Sequence, residues 1–232
     1  MTNKTLPFSV TIAVDGPSAT GKSVVGLAIA TRLGYLYLDT GAMYRAMTWL
    51  ALKKGVAPDD AEGLTNMAEN HPIEISRPSV DDGRQYTVMI DGEDVTWAIR
   101  QPDVEANVSL VSAVPGVRLA LVVQQRRIGR NGRVVMVGRD IGTVVMPDAD
   151  LKIFLTASAG VRARRRGDEL MARGQPADLE TILLALMRRD KLDSERADSP
   201  LKPAVDAVIV DTDRLSINEV VEQIMALAEG CR

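Results

Sequence analysis

The sequence contains little cysteine, histidine or aromatic residue, and it has no long apolar run. Its one cysteine, Cys231, cannot form a disulfide within the chain, which favours a reducing compartment and a cytoplasmic location. Its one histidine, His71, argues against a histidine-based metal site and against a Ser-His-Asp triad. No stretch approaches 18 continuous apolar residues, so we expect no membrane-spanning helix.

Charge of either sign is also not in large excess. The 232 residues carry a formal net charge of -3, and the isoelectric point is near 5.3, which argues against a general nucleic-acid binder. Hydrophobic residues make up 46% of the chain and charged residues 25%, which excludes disorder of the whole chain. Because only 3% of the residues are aromatic, the core must be aliphatic. We expect one monomeric α/β domain with room for an insertion, and no nucleic-acid or membrane partner.

Short apolar runs alternate with helical periodicity at both ends of the chain. Helices follow the first two runs and stop at Gly34 and Gly55, and a last helix over 216–229 begins at Ser216. This alternation predicts a parallel sheet of five strands with right-handed crossovers. The five strands are predicted at 10–14, 35–38, 133–137, 151–155 and 207–210.

The middle of the chain has a different pattern. Residues 73–76 and 85–90 alternate between apolar and polar, and the turn sequence 81–83 lies between them. This predicts a small antiparallel element inserted in the α/β scaffold. Two helices are expected after it, at 103–112 and 117–130.

One motif carries chemistry by itself. Residues 16–23 match G-x-x-x-x-G-K-[ST] at every position, between an apolar strand and a helix. Backbone N–H groups of such a loop surround phosphate oxygens, the lysine contacts the β- and γ-phosphates, and the hydroxyl ligates Mg²⁺. The motif predicts a nucleoside triphosphate site, with Mg²⁺ as cofactor. Its residues are Gly16, Pro17, Ser18, Ala19, Thr20, Gly21, Lys22 and Ser23, with Val24 beside them.

Residues outside the loop argue against a GTPase and favour a small-molecule kinase among the phosphate-loop proteins. No [NT]-K-x-D sequence for guanine recognition comes after a later strand, and the D-x-x-G match at 60–63 has no strand before it. Small-molecule kinases fit the chain length. The run Arg162-Ala163-Arg164-Arg165-Arg166 could supply a mobile lid that covers the phosphates. For any single arginine, a solvated helix face with salt bridges is as good an interpretation.

The sequence resembles the bacterial cytidylate kinase family over about residues 10–229. The phosphate loop alone would not select this family, but the order of the later motifs does. Besides 16–23, the matching segments are L-D-T-G-A-M-Y-R at 38–45, G-E-D-V at 92–95, G-R-D-I-G-T-V-V at 138–145, L-K-I-F-L at 151–155, and Arg189-Asp190 with Asp193 and Arg196.

The resemblance implies a role for each matching position. Thr40, Arg118 and Asp140 would contact the cytosine ring, with Arg196 near it. Arg45 and Arg139 would hold the acceptor phosphate, and Tyr44 would line the same pocket. The residues around the sugar would be Ser109, Arg189 and Asp193. Catalysis would depend on Lys22, Arg139, Arg162 and Arg166.

The implied base contacts are chemically reasonable. A carboxylate accepts a hydrogen bond from the N4 amine of cytosine, and a guanidinium donates to N3 and O2. Uracil has a carbonyl in place of the amine, so a carboxylate at position 140 should disfavour UMP. Two positions depart from the family: Val137 stands where many relatives have an acidic residue, and Leu192 where some have an arginine.

The sequence therefore predicts an α/β phosphate-loop kinase that converts CMP or dCMP to the diphosphate with ATP. Residues 1–40, 114–157 and 178–232 would form the core, 41–113 the acceptor-binding region, and 158–177 the arginine-rich lid. Two alternatives stay open. One is a kinase of another small acceptor, such as UMP, AMP or shikimate, and the other is a nucleotide-dependent RNA-binding module.

Overall fold

The computed structural model describes residues 10–231 except 131, 173 and 197. The strands are β1 (Thr11–Asp15), β2 (Leu36–Asp39), β3 (Ile73–Ser76), β4 (Thr87–Ile90), β5 (Glu93–Asp94), β6 (Val134–Val137), β7 (Leu151–Thr156) and β8 (Val208–Asp211). The helices are α1 (Lys22–Leu33), α2 (Thr40–Lys54), α3 (Ala61–Asn70), α4 (Pro102–Val111), α5 (Pro115–Gly129), α6 (Ala159–Ala172), α7 (Leu179–Glu195) and α8 (Ile217–Gly230). A 3₁₀ turn covers Ala98–Arg100 and a π-helical turn covers Ile141–Val145.

The larger sheet confirms the predicted five parallel strands. Their order is β2-β6-β1-β7-β8, so β1 pairs with β6 on one side and β7 on the other. Every residue of β1 and β6 is buried, as expected for central strands that helices cover on both faces. The carboxyl ends of β1, β2 and β6 lie together, because Val14 and Asp39 both register with Val137.

The helices that flank this sheet begin and end where the sequence indicates. Gly34 and Gly55 adopt left-handed conformations after α1 and α2, with φ of 67° and 70°. Ser216 caps α8 in a capping box with Glu219, in which each side chain bonds the other's backbone N–H. The helices α1 and α8 pack against each other beside the sheet.

The second sheet confirms the antiparallel insertion. Its order is β3-β4-β5, with Ile73 opposite Ile90 and Ser76 opposite Thr87. In β3 the buried side chains alternate with exposed ones, which explains the period of two in the sequence. This sheet packs against α2.

Three features were not predicted or were predicted differently. Helix α3 was missed, and the D-x-x-G match is its N-terminal cap, in which Asp60 Oδ1 accepts from the Gly63 N–H at 2.9 Å. The arginine-dense stretch is two helices, α6 and α7, which pack against each other. The segment after β6 forms the π-helical turn.

Among the described residues, no single helix is both long and apolar enough to cross a membrane; α4 and α5 reach that length and composition only as a pair bent by 100°. The antiparallel sheet lies within 41–113 and α6 within 158–177. The division of the chain into core, acceptor-binding region and lid stays a prediction.

Candidate active site

A cleft of about 320 Å³ opens at the carboxyl ends of β1, β2 and β6. This is the usual ligand position in an open parallel sheet. Most of the residues predicted from the sequence line it: Ser18, Ala19, Gly21, Lys22, Ser23, Val24, Thr40, Tyr44, Arg45, Arg118, Arg139, Asp140, Arg166, Arg189, Asp193 and Arg196. Five predicted residues are not in this lining: Gly16, Pro17, Thr20, Ser109 and Arg162.

The loop between β1 and α1 is held tightly against the sheet. Gly16 has φ of 141°, and a Cβ there would lie 2.2 Å from the carbonyl oxygen of Leu155 on β7, so only glycine fits. Gly21 begins α1 with φ of 93°. Thr20 Oγ1 donates to the Pro17 carbonyl at 3.0 Å, which fixes the loop from inside. The N-terminus of α1 therefore opens on the cleft and offers a favourable dipole for an anion.

Lys22 is buried at the base of this loop. Its ammonium group donates to the Pro17 carbonyl and lies 3.4 Å from Thr20 Oγ1. Burial lowers the pKa of Lys22 well below its usual value, and the positive charge of Arg139 lowers it further. An anion in the loop would oppose both effects, because it would favour the charged ammonium.

Arg139 and Arg162 contact the loop from two other elements. Arg139 donates to Ser18 Oγ at 2.7 Å and pairs with Asp193 of α7 at 3.0 Å. Arg162 of α6 donates to the Ser18 carbonyl at 3.3 Å and pairs with Asp190 at 2.6 Å. Arg139 thus joins the loop to α7 inside the cleft, whereas Arg162 is buried behind the loop.

The other end of the cleft contains a buried ion pair. Arg118 Nη2 and Asp140 Oδ2 are 2.5 Å apart, and the two side chains are only 5% and 6% exposed. Arg196 approaches the second carboxylate oxygen at 3.8 Å, and the Tyr44 ring lies 5.5 Å from the Arg118 guanidinium. The Nε of Arg118 is buried with no partner among the described residues. A carboxylate and several N–H donors therefore lie side by side, an arrangement that could bind one planar polar group with neighbouring donors and acceptors.

Two further predicted residues, Thr40 and Arg189, also line the cleft. Thr40 Oγ1 donates to the Val137 carbonyl at 2.9 Å, which ties α2 to β6. Arg189 is half-buried, and its Nε is buried with no hydrogen-bond partner in the described part of the chain. Burial lowers the pKa of Arg189 to about 10, with a further contribution from Arg139. A guanidinium desolvated in this way fits an anion that enters the cleft.

The arginines of the run on α6 have different surroundings. Arg166 lines the cleft and contacts Glu169 at 2.9 Å and Glu105 at 3.5 Å. Arg165 bonds Thr212 Oγ1 at 2.9 Å, and Arg164 is exposed. The solvated-face interpretation therefore suits Arg164, and the lid interpretation suits Arg166.

A divalent cation would find few carboxylates here. Ser23 is accessible at the start of α1, and Asp39 lines the cleft at the end of β2. Both oxygens of Asp15 accept backbone N–H bonds from Ile141 and Gly142 at 2.8 Å, and burial raises its pKa to about 6. Position 137 holds a buried valine. No group of three or more acidic, His or Cys side chains in the described ranges could hold a metal, which fits an ion held mainly by phosphates and water.

The sequence analysis predicted helix α4, at 103–112, but did not predict that one face of it lines the cleft. Glu105, Val108 and Ser112 line the cleft at helical spacing, whereas Ser109 is half-buried outside the lining. The period of α4 was the available signal, since residues at i, i+3 and i+7 share one face. The role of Ser109 at the sugar stays a prediction.

Comparison with known proteins gives consistent matches. The model of the cytidylate kinase family matches residues 12–230. A cytidylate kinase of Chloroflexus aggregans (strain MD-66 / DSM 9485) is 53% identical, covering 93% of this chain and 92% of that protein. The cytidylate kinase of Geobacillus sp. (strain WCH70) is 52% identical, with 94% and 96% covered.

Two further comparisons concern length and fold. A bifunctional pantoate ligase/cytidylate kinase of Synechococcus sp. (strain JA-3-3Ab) is 54% identical over 93% of this chain, which spans 40% of that protein's length. Among solved structures, an uncharacterized protein from Eubacterium ventriosum ATCC 27560 superposes with a TM-score of 0.51 at 10% identity, covering 96% and 99% of the two chains. At that identity the likeness concerns the fold alone.

Proposed function

Since this chain belongs to the cytidylate kinase family, we propose that its cleft transfers the γ-phosphoryl group of ATP to CMP or dCMP. The observation that carries the proposal is the placement of two unlike sites in one cleft. The phosphate loop lies at one end, and the buried Arg118–Asp140 pair lies at the other. A polyphosphate suits the first site, and a planar base with adjacent donors and acceptors suits the second.

The donor end binds through main-chain N–H groups of the loop and the start of α1. Lys22 places its ammonium on the β- and γ-phosphates and exchanges the Pro17 carbonyl for phosphate oxygens. Ser23 would ligate Mg²⁺, and Asp39 would hold its water ligands. When bound, the ion neutralises charge on the phosphate oxygens.

The acceptor phosphate binds between arginines from three elements. Arg45 of α2, Arg139 after β6 and Arg189 of α7 all line the cleft. Together they orient one phosphate oxygen toward the donor, which raises the rate because the reacting atoms are already aligned. That oxygen is anionic near neutral pH, so no general base is needed.

The base is distinguished by the buried pair. Asp140 accepts from the N4 amine of cytosine, Arg118 donates to N3 and O2, and Arg196 contributes near the second carboxylate oxygen. Uracil would place a carbonyl against a buried carboxylate. Such a mismatch leaves two acceptors facing each other without a proton, which is costly in a desolvated site.

The lid completes the scheme. Arg166 neutralises charge on the transferring group while α6 covers the cleft and excludes water, and Arg162 positions the loop through Ser18. A monomeric state and a cytoplasmic location stay predictions of the sequence analysis. So does the absence of a nucleic-acid partner.

The acceptor is tested by ADP release from ATP and Mg²⁺ with CMP, dCMP, UMP, AMP or shikimate. We expect turnover with CMP and dCMP, and kcat/KM at least about fivefold lower with UMP because one buried polar mismatch costs about 1–3 kcal/mol. Comparable rates with AMP or shikimate would reject the assignment. RNA affinity at moderate salt without acceptor-dependent turnover would favour the binding module instead.

A further inference from the structure

Glu105 lies between two arginines that belong to different walls of the cleft. Its Oε2 is 3.7 Å from Nη2 of Arg45 on α2, and its Oε1 is 3.5 Å from Nη2 of Arg166 on α6. The three side chains are half-buried and line the same cavity. One carboxylate therefore spans from the acceptor-binding wall to the lid, with one oxygen directed to each arginine.

This bridge joins helices that pack in separate groups. The helix α6 packs mainly against α7, and α4, which carries Glu105, packs against α2. Arg166 also contacts Glu169 at 2.9 Å, but that residue lies one turn along the same helix. The contact with Glu169 fixes Arg166 only relative to α6. The contact with Glu105 links Arg166 to Arg45 on α2.

We propose that Glu105 is a positioning residue that couples the acceptor-phosphate arginine, Arg45, to the lid arginine, Arg166. The inference rests on the proposed function, which assigns the acceptor phosphate to Arg45 and the transferring group to Arg166. Glu105 touches neither nucleotide in this scheme. It limits the directions available to two flexible guanidinium groups through charge-assisted contacts, and the rate of transfer depends steeply on such alignment.

A second role for the same carboxylate makes the opposite prediction. Glu105 could act only as an anion that competes with the acceptor phosphate for Arg45. Its neutralisation would then lower KM for CMP and leave kcat unchanged. A positioning role instead predicts that neutralisation lowers kcat, and that the effect requires Arg166 to be present.

The test is a double-mutant cycle of wild type, Glu105→Gln, Arg166→Ala and the double variant, measured as kcat and KM for CMP and ATP. We expect Glu105→Gln to lower kcat about fivefold in the wild-type background and less than about twofold in the Arg166→Ala background, since residues in one charged network are non-additive. Glu105→Asp keeps the charge with a shorter reach and should recover part of kcat. Asp103→Asn removes an exposed charge from the same helix and should leave all constants unchanged.

Three results would overturn the inference: an unchanged kcat in Glu105→Gln, an equal fall in both backgrounds, or a lower KM for CMP alone. The melting temperatures of all variants are measured alongside, and if Glu105→Gln does not fold, Glu105→Asp carries the cycle. A wild-type protein that prefers another acceptor would refute the proposed function instead. The cycle is then measured with that acceptor, so the two failures stay distinct.

Discussion

The two ends of the cleft are formed by different parts of the polypeptide, the main chain at one end and side chains at the other. At the donor end, main-chain groups form the site, and Gly16 and Gly21 give the loop its shape. At the acceptor end, long charged side chains form it, of which the Arg118–Asp140 pair is the most buried. A main-chain cradle recognises any polyphosphate, whereas a fixed set of side chains distinguishes one base from another. In the proposed function, the cleft thus separates affinity for the shared donor from choice of the acceptor.

We expect the largest effect on turnover from the substitution that removes the one charged side chain of the donor loop, Lys22. Lys22→Ala should lower kcat by about 10²- to 10³-fold, the range observed when one preorganised donor to a transition-state charge is deleted. Steady-state ADP release measures it. The control Lys53→Ala removes an exposed lysine on α2. Near-normal turnover in Lys22→Ala, with the melting temperature intact, would show that the donor end works through backbone alone.

The next variant tests whether the two ends act separately, because it should change KM for CMP much more than KM for ATP. Arg118→Ala should raise KM for CMP about 100-fold and KM for ATP less than about threefold, because it removes the close partner of a buried carboxylate at the acceptor end only and leaves Asp140 with the more distant Arg196. Arg127→Ala, an exposed change on the same helix, is the matched control. Equal increases in both KM values would contradict the separation of the ends.

A smaller effect concerns choice of base. Asp140→Asn keeps the shape of the side chain but adds donors, so it tolerates the O4 carbonyl of uracil. The ratio of kcat/KM for CMP over UMP should fall about tenfold, corresponding to roughly 1–2 kcal/mol of discrimination. An unchanged ratio would move base recognition to other residues.

The last prediction concerns stability and not turnover, at Asp15 at the end of β1. Asp15 precedes the loop, and its carboxylate accepts from the backbone N–H groups of Ile141 and Gly142, the two residues that follow Asp140 in the chain. Its pKa is raised from 3.8 to about 6 by burial, so the folded state binds this proton more tightly than the unfolded chain. The free energy of unfolding should therefore decrease as pH rises from about 4 to 6, by on the order of 2 kcal/mol.

Urea unfolding at several pH values measures this slope in the wild type and in Asp15→Asn. The variant should lose the Asp15 contribution, so the wild-type slope minus the variant slope is negative in that pH window. Parallel curves would mean that Asp15 titrates alike in the folded and unfolded states. The absolute stability of the variant is not the readout, because asparagine also loses one backbone hydrogen bond.

The fold could be predicted wherever local chemistry decides it. The strand at 10–14, the stops at Gly34 and Gly55 and the cap at Ser216 depend on residues close in sequence, and each is confirmed. The order of the strands could not be predicted, because β1 lies between β6 and β7 through contacts between residues far apart in the chain. Helix α3 was missed since it buries few apolar side chains.

The site residues, too, differ in how far the sequence could predict them. The phosphate loop is encoded in a contiguous motif, so Lys22 and Ser23 could be placed from the sequence alone. Arg118 and Asp140 could be named only through resemblance, since their 2.5 Å contact depends on where α5 packs against the π-helical turn that follows β6. Glu105 had no motif, and its contacts with Arg45 and Arg166 exist only once three helices have packed.

The approach of the Leu155 carbonyl to Gly16 has a consequence for engineering. With 2.2 Å between that oxygen and a methyl group at position 16, a side chain there can be accommodated only if β7 moves away from β1. The nucleotide cradle and the centre of the sheet are thus one mechanical unit. An attempt to reshape the cradle at this residue would be detected first as lower thermal stability of the whole protein, before any change in nucleotide preference.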